Sequence, residues 1–157
     1  MQSQKILRLN ETLKFMQKLI KTKPRRLDDI VHELHYEEFE KIDCLECGNC
    51  CKTISPAIYE SDIRRMASSL RIKAFEFTDE YLLKEENEDY VFLKTPCSFL
   101  DDDNCCKIYD SRPRACREYP HTDRKRFYQI INLTTKNCKV CPAAFNIIEH
   151  LKENFPQ

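Results

Sequence analysis

The sequence lacks several features that would point to a partner or a compartment. Its 26 basic residues are balanced by 26 acidic ones, so no overall basic field argues for nucleic acid or an anionic membrane. No stretch of about 18 apolar residues is present, so we expect no transmembrane helix. Arg8, Asn10 and Glu11 interrupt the apolar residues near the N-terminus, so a signal-peptide core is not expected either. We therefore expect a cytoplasmic protein without a nucleic-acid or membrane partner.

Tryptophan is absent and glycine occurs once, whereas cysteine is abundant, with ten residues in a chain of 157. Thiols stay reduced in the cytosol, where a cysteine pattern is more often metal-binding or catalytic than a disulfide framework. The adjacent pairs Cys50-Cys51 and Cys105-Cys106 argue further against disulfides, because neighbouring cysteines rarely bridge each other without strain. The cysteine content therefore predicts metal binding.

Four cysteines fall within eight residues, at Cys44, Cys47, Cys50 and Cys51. Thiolates favour zinc, copper(I) or iron–sulfur clusters, and a two-residue gap lets two sulfurs face one metal. The C-x2-C-x2-C run is typical of bacterial ferredoxins, whereas a glycine after the second cysteine is typical of zinc sites. That glycine, Gly48, is the only one in the chain and can take positive φ without steric cost. The loop predicts an iron–sulfur cluster or zinc and leaves the choice open.

Apolar periodicity predicts helices near both ends of the chain. Residues 5–21 and 27–39 each repeat apolar positions at spacings of three and four. Ser61 is expected to cap a short helix over residues 62–70, and Pro142 is expected to start a last helix. The apolar face of the first helix is expected to comprise Ile6, Leu9, Leu13, Met16 and Ile20.

Residues with high β-propensity predict short strands at 90–94, 106–109 and 126–133. The expected fold class is α+β, a small metal-centred domain with few short strands. We expect residues 1–40 to form a helical N-terminal extension and residues 41–157 to form the cysteine-cluster metal-binding domain. The first helix could pack against the second as a hairpin, or it could dock on a protein partner.

The histidines give weaker indications. His32 and His35 lie three apart on a predicted helix and could chelate a metal, although such histidines are more often surface or half-buried residues. His121 could act as a base near Cys116, but a thiol that is needed as a ligand is not a free nucleophile. Cys105 is then the best spare thiol.

The second group of cysteines lies in a series of short motifs. These are Pro96-Cys97-x-Phe99-Leu100, Cys106-x-Ile108-Tyr109, Arg112-Pro113-x2-Cys116-Arg117-x-Tyr119-Pro120 and Cys141-Pro142. Together with the first cysteine loop they cover residues 44–142. In order and spacing they resemble the YkgJ-type cysteine-cluster family, the zinc- or iron-chelating CxxCxxCC domain.

The resemblance implies a chelating domain with eight cysteine ligands, enough for two four-cysteine sites or for one cluster and one zinc. A similar domain occurs in flagellin lysine methylases, which implies iron–sulfur and modification chemistry in some relatives. Cys105 and Cys138 are extra cysteines, and Cys138 is the alternative to Cys141 as the last ligand. The implied metal ligands are Cys44, Cys47, Cys50, Cys51, Cys97, Cys106, Cys116 and Cys141.

Three arginines lie close in sequence to Cys116. Several thiolates on a divalent metal leave excess negative charge, which nearby arginines can offset. We expect Arg112 and Arg117 to take this role beside the cofactor. For Arg114, an ion pair at the surface with the aspartates at 101–103 is an equal alternative.

Two functions compete on this reading of the sequence. One is a redox or modification enzyme, or its electron-transfer component, that uses an iron–sulfur cluster. The other is a zinc-stapled protein-interaction module without catalytic activity, which would dock a partner through residues 1–40. An open coordination position would favour the first function, and a zinc closed off by four thiolates would favour the second.

Overall fold

The computed structural model describes residues 2–86 and 89–156, with side chains described from residue 10 onward. Two compact units make up the chain. The first joins residues 1–42 to residues 120–157, and the second consists of residues 43–119. The second unit is therefore one continuous segment of sequence, and the first unit is assembled from the segments on either side of it.

Helices account for most of the regular structure in the described residues. Short 3-10 helices cover Tyr109–Ser111 and Phe127–Gln129, and strands β1 (Leu82–Lys84) and β2 (Tyr90–Phe92) pair antiparallel. No helix within residues 2–86 and 89–156 is both long and apolar enough to cross a membrane. The α-helices are α1 (Gln2–Thr22), α2 (Leu27–Phe39), α3 (Cys44–Cys47), α4 (Asn49–Thr53), α5 (Glu60–Ser69), α6 (Ala74–Tyr81), α7 (Arg114–Glu118), α8 (Ile131–Asn137) and α9 (Pro142–Asn154).

The first unit packs α1, α2, α8 and α9 around one apolar core. The Asp28 carboxylate in the first turn of α2 accepts the backbone N–H groups of Arg126, at 2.6 Å, and Phe127, at 2.9 Å. These bonds tie α2 to the segment that precedes α8. The largest fully buried side chains of this core are Phe15, Met16, Leu19, Val31, Phe127, Ile131, Ile147, Ile148 and Leu151.

The second unit has a core of its own between α5, α6 and the two strands. The rings of Phe77 and Phe99 stack with their centroids 5.9 Å apart. The backbone N–H of Ile58 donates to the Tyr90 carbonyl oxygen at 2.7 Å, which places Ile58 beside β2. The buried members are Ile58, Ile63, Met66, Ala67, Phe77, Leu82, Phe92, Phe99 and Ile108.

The predicted helices are present with small shifts of their ends. The helix predicted over 27–39 is α2, and α9 begins at Pro142 as expected. The helix expected after Ser61 begins at Glu60, because the Asp62 carboxylate accepts the backbone N–H of Tyr59 and caps the helix there. The helix α6 was not predicted.

The buried face of α1 is shifted from the expected one. Met16 is buried, but Leu13 and Ile20 are only half-buried, whereas Phe15 and Leu19 are almost completely buried. The side chains of Ile6 and Leu9 lie outside the described residues. The apolar face from residue 15 to residue 19 packs into the core of the first unit.

Of the three predicted strands only the first is found, as β2. Cys106 forms an isolated bridge with Leu100, and a 3-10 helix follows at Tyr109–Ser111. The segment 126–133 is helical, because its burial recurs at spacings of three and four rather than alternately. The described chain is therefore mostly helical with one small sheet. The buried positions that establish the helical spacing are Phe127, Ile130, Ile131, Thr134, Thr135 and Cys138.

Candidate metal centre

The first cysteine loop folds as two short helices separated by a glycine, with two cysteines on each. The Asp43 carboxylate accepts the backbone N–H of Leu45 at 2.8 Å and caps α3. Gly48 then takes a φ of 59°, in the left-handed region, and ends α3 directly before α4 begins. A left-handed residue is the usual end of a helix and is easiest for glycine. The glycine therefore sets the angle between the two cysteine pairs.

Gly48 is also buried against the turn that precedes the second adjacent cysteine pair. A Cβ atom on Gly48 would lie 3.1 Å from both Cβ and Oδ1 of Asn104. The Nδ2 atom of Asn104 donates to the Glu46 carbonyl oxygen at 2.9 Å and holds this turn on the first loop. Sequence reasoning missed Asn104, although the polar run at 101–104 is typical of a turn.

Cys97 and Cys106 lie in two loops that have the same local arrangement of a thiol and a buried residue. The residue two positions later, Phe99 or Ile108, is buried in the core of the second unit. Desolvation is the largest influence on both thiols and raises the pKa of Cys97 to about 11 and the pKa of Cys106 as well. The backbone N–H of Phe99 opposes desolvation and lowers the pKa of Cys97, and the backbone N–H of Ile108 does the same for Cys106. Such donors stabilise the thiolate, which is the form that binds metal.

Four thiols of the second unit, Cys51, Cys97, Cys106 and Cys116, form what we term the four-thiol cluster. The pKa of Cys116 is raised to about 12, mainly by desolvation and next by the nearby thiols of the other three cysteines. Cys51 and Cys106 also raise the pKa of Cys97, and Cys51 raises that of Cys106. The backbone N–H of Cys97 donates to the Cys51 carbonyl oxygen at 2.8 Å. Each member of the cluster is thus an electrostatic neighbour of the other three.

The remaining thiols of the first loop adjoin this cluster. The Sγ atoms of Cys50 and Cys51 lie 4.0 Å apart. This contact raises the pKa of Cys50 and lowers the pKa of Cys51 to about 7. Of these two thiols, Cys51 therefore ionises more readily. Cys44 further raises the pKa of Cys50, while desolvation and then Cys47 raise the pKa of Cys44. Seven of the eight expected ligands are therefore neighbours in the second unit.

The guanidinium of Arg112 lies beside these thiols. Desolvation is the largest influence on Cys44, Cys106 and Cys116 and raises the pKa of each, while the positive charge of Arg112 lowers all three. The Nη1 atom of Arg112 donates to the Tyr109 carbonyl oxygen at 2.6 Å, and the guanidinium lies 3.7 Å from the centroid of the Tyr109 ring. Arg112 is thus held where it can offset thiolate charge.

The other two arginines of this segment have different surroundings. Arg114 donates from Nε to Glu118 Oε1 at 2.6 Å, one turn further along α7, and both side chains are exposed. Asp101 pairs with Lys107, at 3.6 Å. Arg117 is exposed on α7. Its predicted role beside the cofactor stays a prediction.

Three cysteines lie outside the group of seven. Cys105 is exposed, and its hydrogen bond with the Asp103 carboxylate raises its pKa. In the first unit, the Cys138 thiol is buried and donates to the Ala144 carbonyl oxygen at 3.6 Å. The Cys141 sulfur instead accepts the backbone N–H of Ala144 at 3.4 Å and caps α9. Cys141 thus presents its sulfur as an acceptor, but its assignment as the eighth ligand stays a prediction.

The two helical histidines are engaged in hydrogen bonds of the first unit. His35 Nδ1 lies 2.7 Å from Thr122 Oγ1, and His32 Nε2 lies 3.2 Å from the Arg124 carbonyl oxygen. Burial lowers the pKa of His35, and the nearby Asp123 carboxylate partly opposes this. These contacts give both rings a structural role.

The donor set fits a metal that prefers sulfur. None of the ten cysteines, all of which lie within the described residues, is joined in a disulfide. Among the described residues, no three cysteine, histidine, aspartate or glutamate side chains are grouped closely enough to hold a metal ion. The thiols are nevertheless near enough to shift one another's pKa values, and an arginine accompanies them. Soft thiolates with a compensating cation match the chemistry of zinc or an iron–sulfur cluster.

Comparison with known proteins agrees with this donor set. The CxxCxxCC family model, described as "Putative zinc- or iron-chelating domain", matches residues 43–142. An uncharacterised protein of Methanocaldococcus jannaschii is 31% identical over 113 residues, which are 69% of this chain and 57% of that protein. The chain thus spans little more than half of that relative's length, and no solved structure matches it significantly. Because the family model covers most of the sequence, including all eight expected ligands, the chain belongs to the CxxCxxCC family of zinc- or iron-chelating domains.

Proposed function

We propose that residues 43–119 form a thiolate metal-binding module in which the four-thiol cluster holds one metal centre. The observations that carry the proposal are the electrostatic influence of the Cys51, Cys97, Cys106 and Cys116 thiols on one another and the backbone hydrogen bond that joins Cys97 to Cys51. Four thiolates are the number that a structural zinc or a cubane iron–sulfur cluster requires. The remaining thiols of the first loop would supply ligands to a second centre.

We propose an iron–sulfur cluster as the resident group, in a redox or modification enzyme or its electron-transfer component. The C-x2-C-x2-C run of Cys44, Cys47 and Cys50, which would serve the second centre, and the final Cys-Pro pair support iron–sulfur chemistry in this chain. Backbone N–H groups near the sulfurs of Cys97 and Cys106 support it as well, since hydrogen bonds to sulfur tune cluster potentials. When bound, the iron–sulfur cluster would supply one-electron transfer. The chain's own residues would ligate it, and Arg112 would balance its charge.

The alternative is a zinc-stapled interaction module without catalytic activity. One observation favours it. The four-thiol cluster draws on three separate parts of the second unit, namely α4, the loop from Cys97 to Cys106, and α7. Linking distant segments is what a structural zinc does. A protein partner that docks through α1 stays a prediction, since residues 15–19 of α1 pack into the first unit's own core.

Metal analysis of the full chain, purified without oxygen, tests the proposal and separates its two forms. Iron with acid-labile sulfide and a visible charge-transfer spectrum would support the cluster. Zinc without sulfide would support the stapled module. A folded protein that holds neither metal and takes up neither after reconstitution would contradict both forms.

The stability of the protein in the presence of a chelator gives a second measurement. Structural zinc contributes about 10–16 kcal/mol in small zinc peptides, which exceeds the net stability of a typical domain. A strong chelator should therefore unfold the second unit, while a reductant alone should not, because the cysteines form no disulfides. An unchanged circular dichroism spectrum in chelator would contradict a structural role for the metal.

A further inference from the structure

A buried carboxylate on α5 connects this helix to the segment that carries Cys116. Asp62 is only 1% exposed. Its Oδ2 atom accepts the backbone N–H of Tyr59 at 3.1 Å, which caps α5. Its Oδ1 atom accepts the backbone N–H of Arg114 at 3.1 Å and a hydrogen bond from Arg65 Nη2 at 2.6 Å. Capping of α5 therefore needs one oxygen of Asp62, and the other oxygen serves a different part of the fold.

Arg65 makes the second connection to the same segment. Its Nη2 atom donates to the carbonyl oxygen of Arg112 at 2.9 Å in addition to Asp62. The Asp62–Arg65 pair thus binds the backbone on both sides of the buried Pro113, at Arg112 before it and at Arg114 after it. The Nη2 atom carries two N–H groups, so it can donate to the carboxylate and to the carbonyl at once.

The turn at residues 112–114, which Asp62 and Arg65 hold, contains or directly precedes two parts of the candidate metal centre. The guanidinium of Arg112 lies beside the thiols, and Cys116 of the four-thiol cluster follows two residues after Arg114. A hydrogen bond at each end of the turn fixes where α7 begins and therefore the position of the Cys116 Cα atom. Bonds that orient ligands in this way typically change metal affinity about 10–100-fold when removed.

We infer that Asp62 and Arg65 are positioning residues of the metal centre, which hold Arg112 and Cys116 in place through the backbone on either side of Pro113. The inference rests on the proposed function, because it concerns the geometry of the proposed ligands. It assigns to α5 a role beyond core packing. Neither residue touches the metal in this assignment, and both act through the turn that they hold.

The rate at which a chelator removes Co²⁺ from the full-length protein tests the inference. Co²⁺ bound by thiolates has a charge-transfer absorption that reports ligand geometry. Arg65→Met should release Co²⁺ about 10–100-fold faster than the unchanged protein and alter this absorption. Arg65→Lys should recover part of the loss, because lysine can still donate to Asp62. The matched control is Arg64→Met, since Arg64 is exposed and directly precedes Arg65. It should behave like the unchanged protein.

Asp62→Asn provides a second variant if Arg65→Met fails to fold. Asparagine retains an oxygen that can cap α5 but loses the charge that holds Arg65, so faster release is expected here too. Equal release rates and spectra for Arg65→Met, Asp62→Asn and Arg64→Met would overturn the inference and leave the proposed function intact. An unchanged protein without thiolate-to-cobalt absorption would overturn the proposed function and the inference together.

Discussion

The backbone N–H of Cys97 donates to the carbonyl oxygen of Cys51 at 2.8 Å, although the two residues belong to separate cysteine groups of the sequence. The bond joins α4 to the loop that starts the second group and uses no side chain of either residue. Both thiols are therefore brought into one region by the backbone itself. A metal that binds there would find part of its ligand set already assembled, which lowers the ordering cost of binding.

The adjacent pair Cys105-Cys106 provides an internal test of which thiols are ligands. Cys106→Ser should lose metal and soluble expression, because its sulfur lies in the four-thiol cluster. Cys105→Ser should retain both, because the Cys105 thiol is exposed and bonds with Asp103. Elemental analysis of the two purified variants gives the answer. Equal damage from Cys105→Ser would show that the wrong member of the pair has been assigned.

Removing the positive charge beside the thiols should weaken metal retention. We expect Arg112→Ala to reduce metal affinity about 10–100-fold, since thiolate charge in a partly buried site is costly unless it is matched. Arg112→Lys should have a milder effect, because lysine keeps the charge but not the planar group that lies over the Tyr109 ring. Competition with a chromogenic chelator measures both affinities. Unaltered affinity in Arg112→Ala would leave Arg112 with a role outside the metal centre.

A side chain at position 48 should disturb the first cysteine loop in two separable ways. The left-handed conformation of Gly48 makes Gly48→Ala cost about 1–2 kcal/mol. The new Cβ would also lie 3.1 Å from the side chain of Asn104. Denaturant unfolding should show the full loss in Gly48→Ala. In a double-mutant cycle, Asn104→Gly should remove the contact but leave the conformational cost. A strictly additive cycle would show that the contact with Asn104 has no energetic effect.

Protonation of His35 should destabilise the first unit. Burial lowers its pKa in the folded protein below the ordinary value of about 6.5, despite the opposing charge of Asp123. A histidine with a lowered folded-state pKa contributes stability that is present above the unfolded pKa and is lost as the pH falls through the folded value. We therefore expect the first unit to lose stability from about pH 6.5 downward, and His35→Gln to reduce this loss.

Histidine ring signals in an NMR titration measure this directly. The His35 signal should titrate below about pH 6.5. His150→Gln is the matched control for stability, because His150 is an exposed residue of α9. Titration of His35 at or above that value, or an equal effect of His150→Gln on the pH dependence, would contradict the prediction.

The sequence was most informative where the chemistry is local. Ligand type and spacing identified the family and a zinc- or iron-chelating role, which the family comparison confirms. Helix ends marked by proline were also predictable, as at Pro142, because a proline fixes its own φ and has no N–H to satisfy. Such features depend on a few neighbouring residues and need no knowledge of the rest of the fold.

Features that depend on distant residues could not be predicted. The segment 126–133 is rich in β-branched and aromatic residues, yet it is helical because its buried side chains meet the core at helical spacing. The contacts of Asp62 with Arg114 and of Arg65 with Arg112 join positions about 50 residues apart, and no local pattern indicates them. Their only trace in the sequence is a charged pair on one face of a short helix.

The division of the chain into a continuous unit and an interrupted one has a consequence for the order of folding during synthesis. The helices α1 and α2 leave the ribosome before the second unit, but much of the core that they join lies in α8 and α9, which are made after it. Every residue of the second unit, with seven of the eight expected ligands, is translated before the first unit can be completed. Because domains generally fold as units while translation proceeds, the nascent second unit can collapse around its metal before the first unit has a finished core. Metal supply during translation would then determine whether the second unit is already folded when α8 and α9 are made.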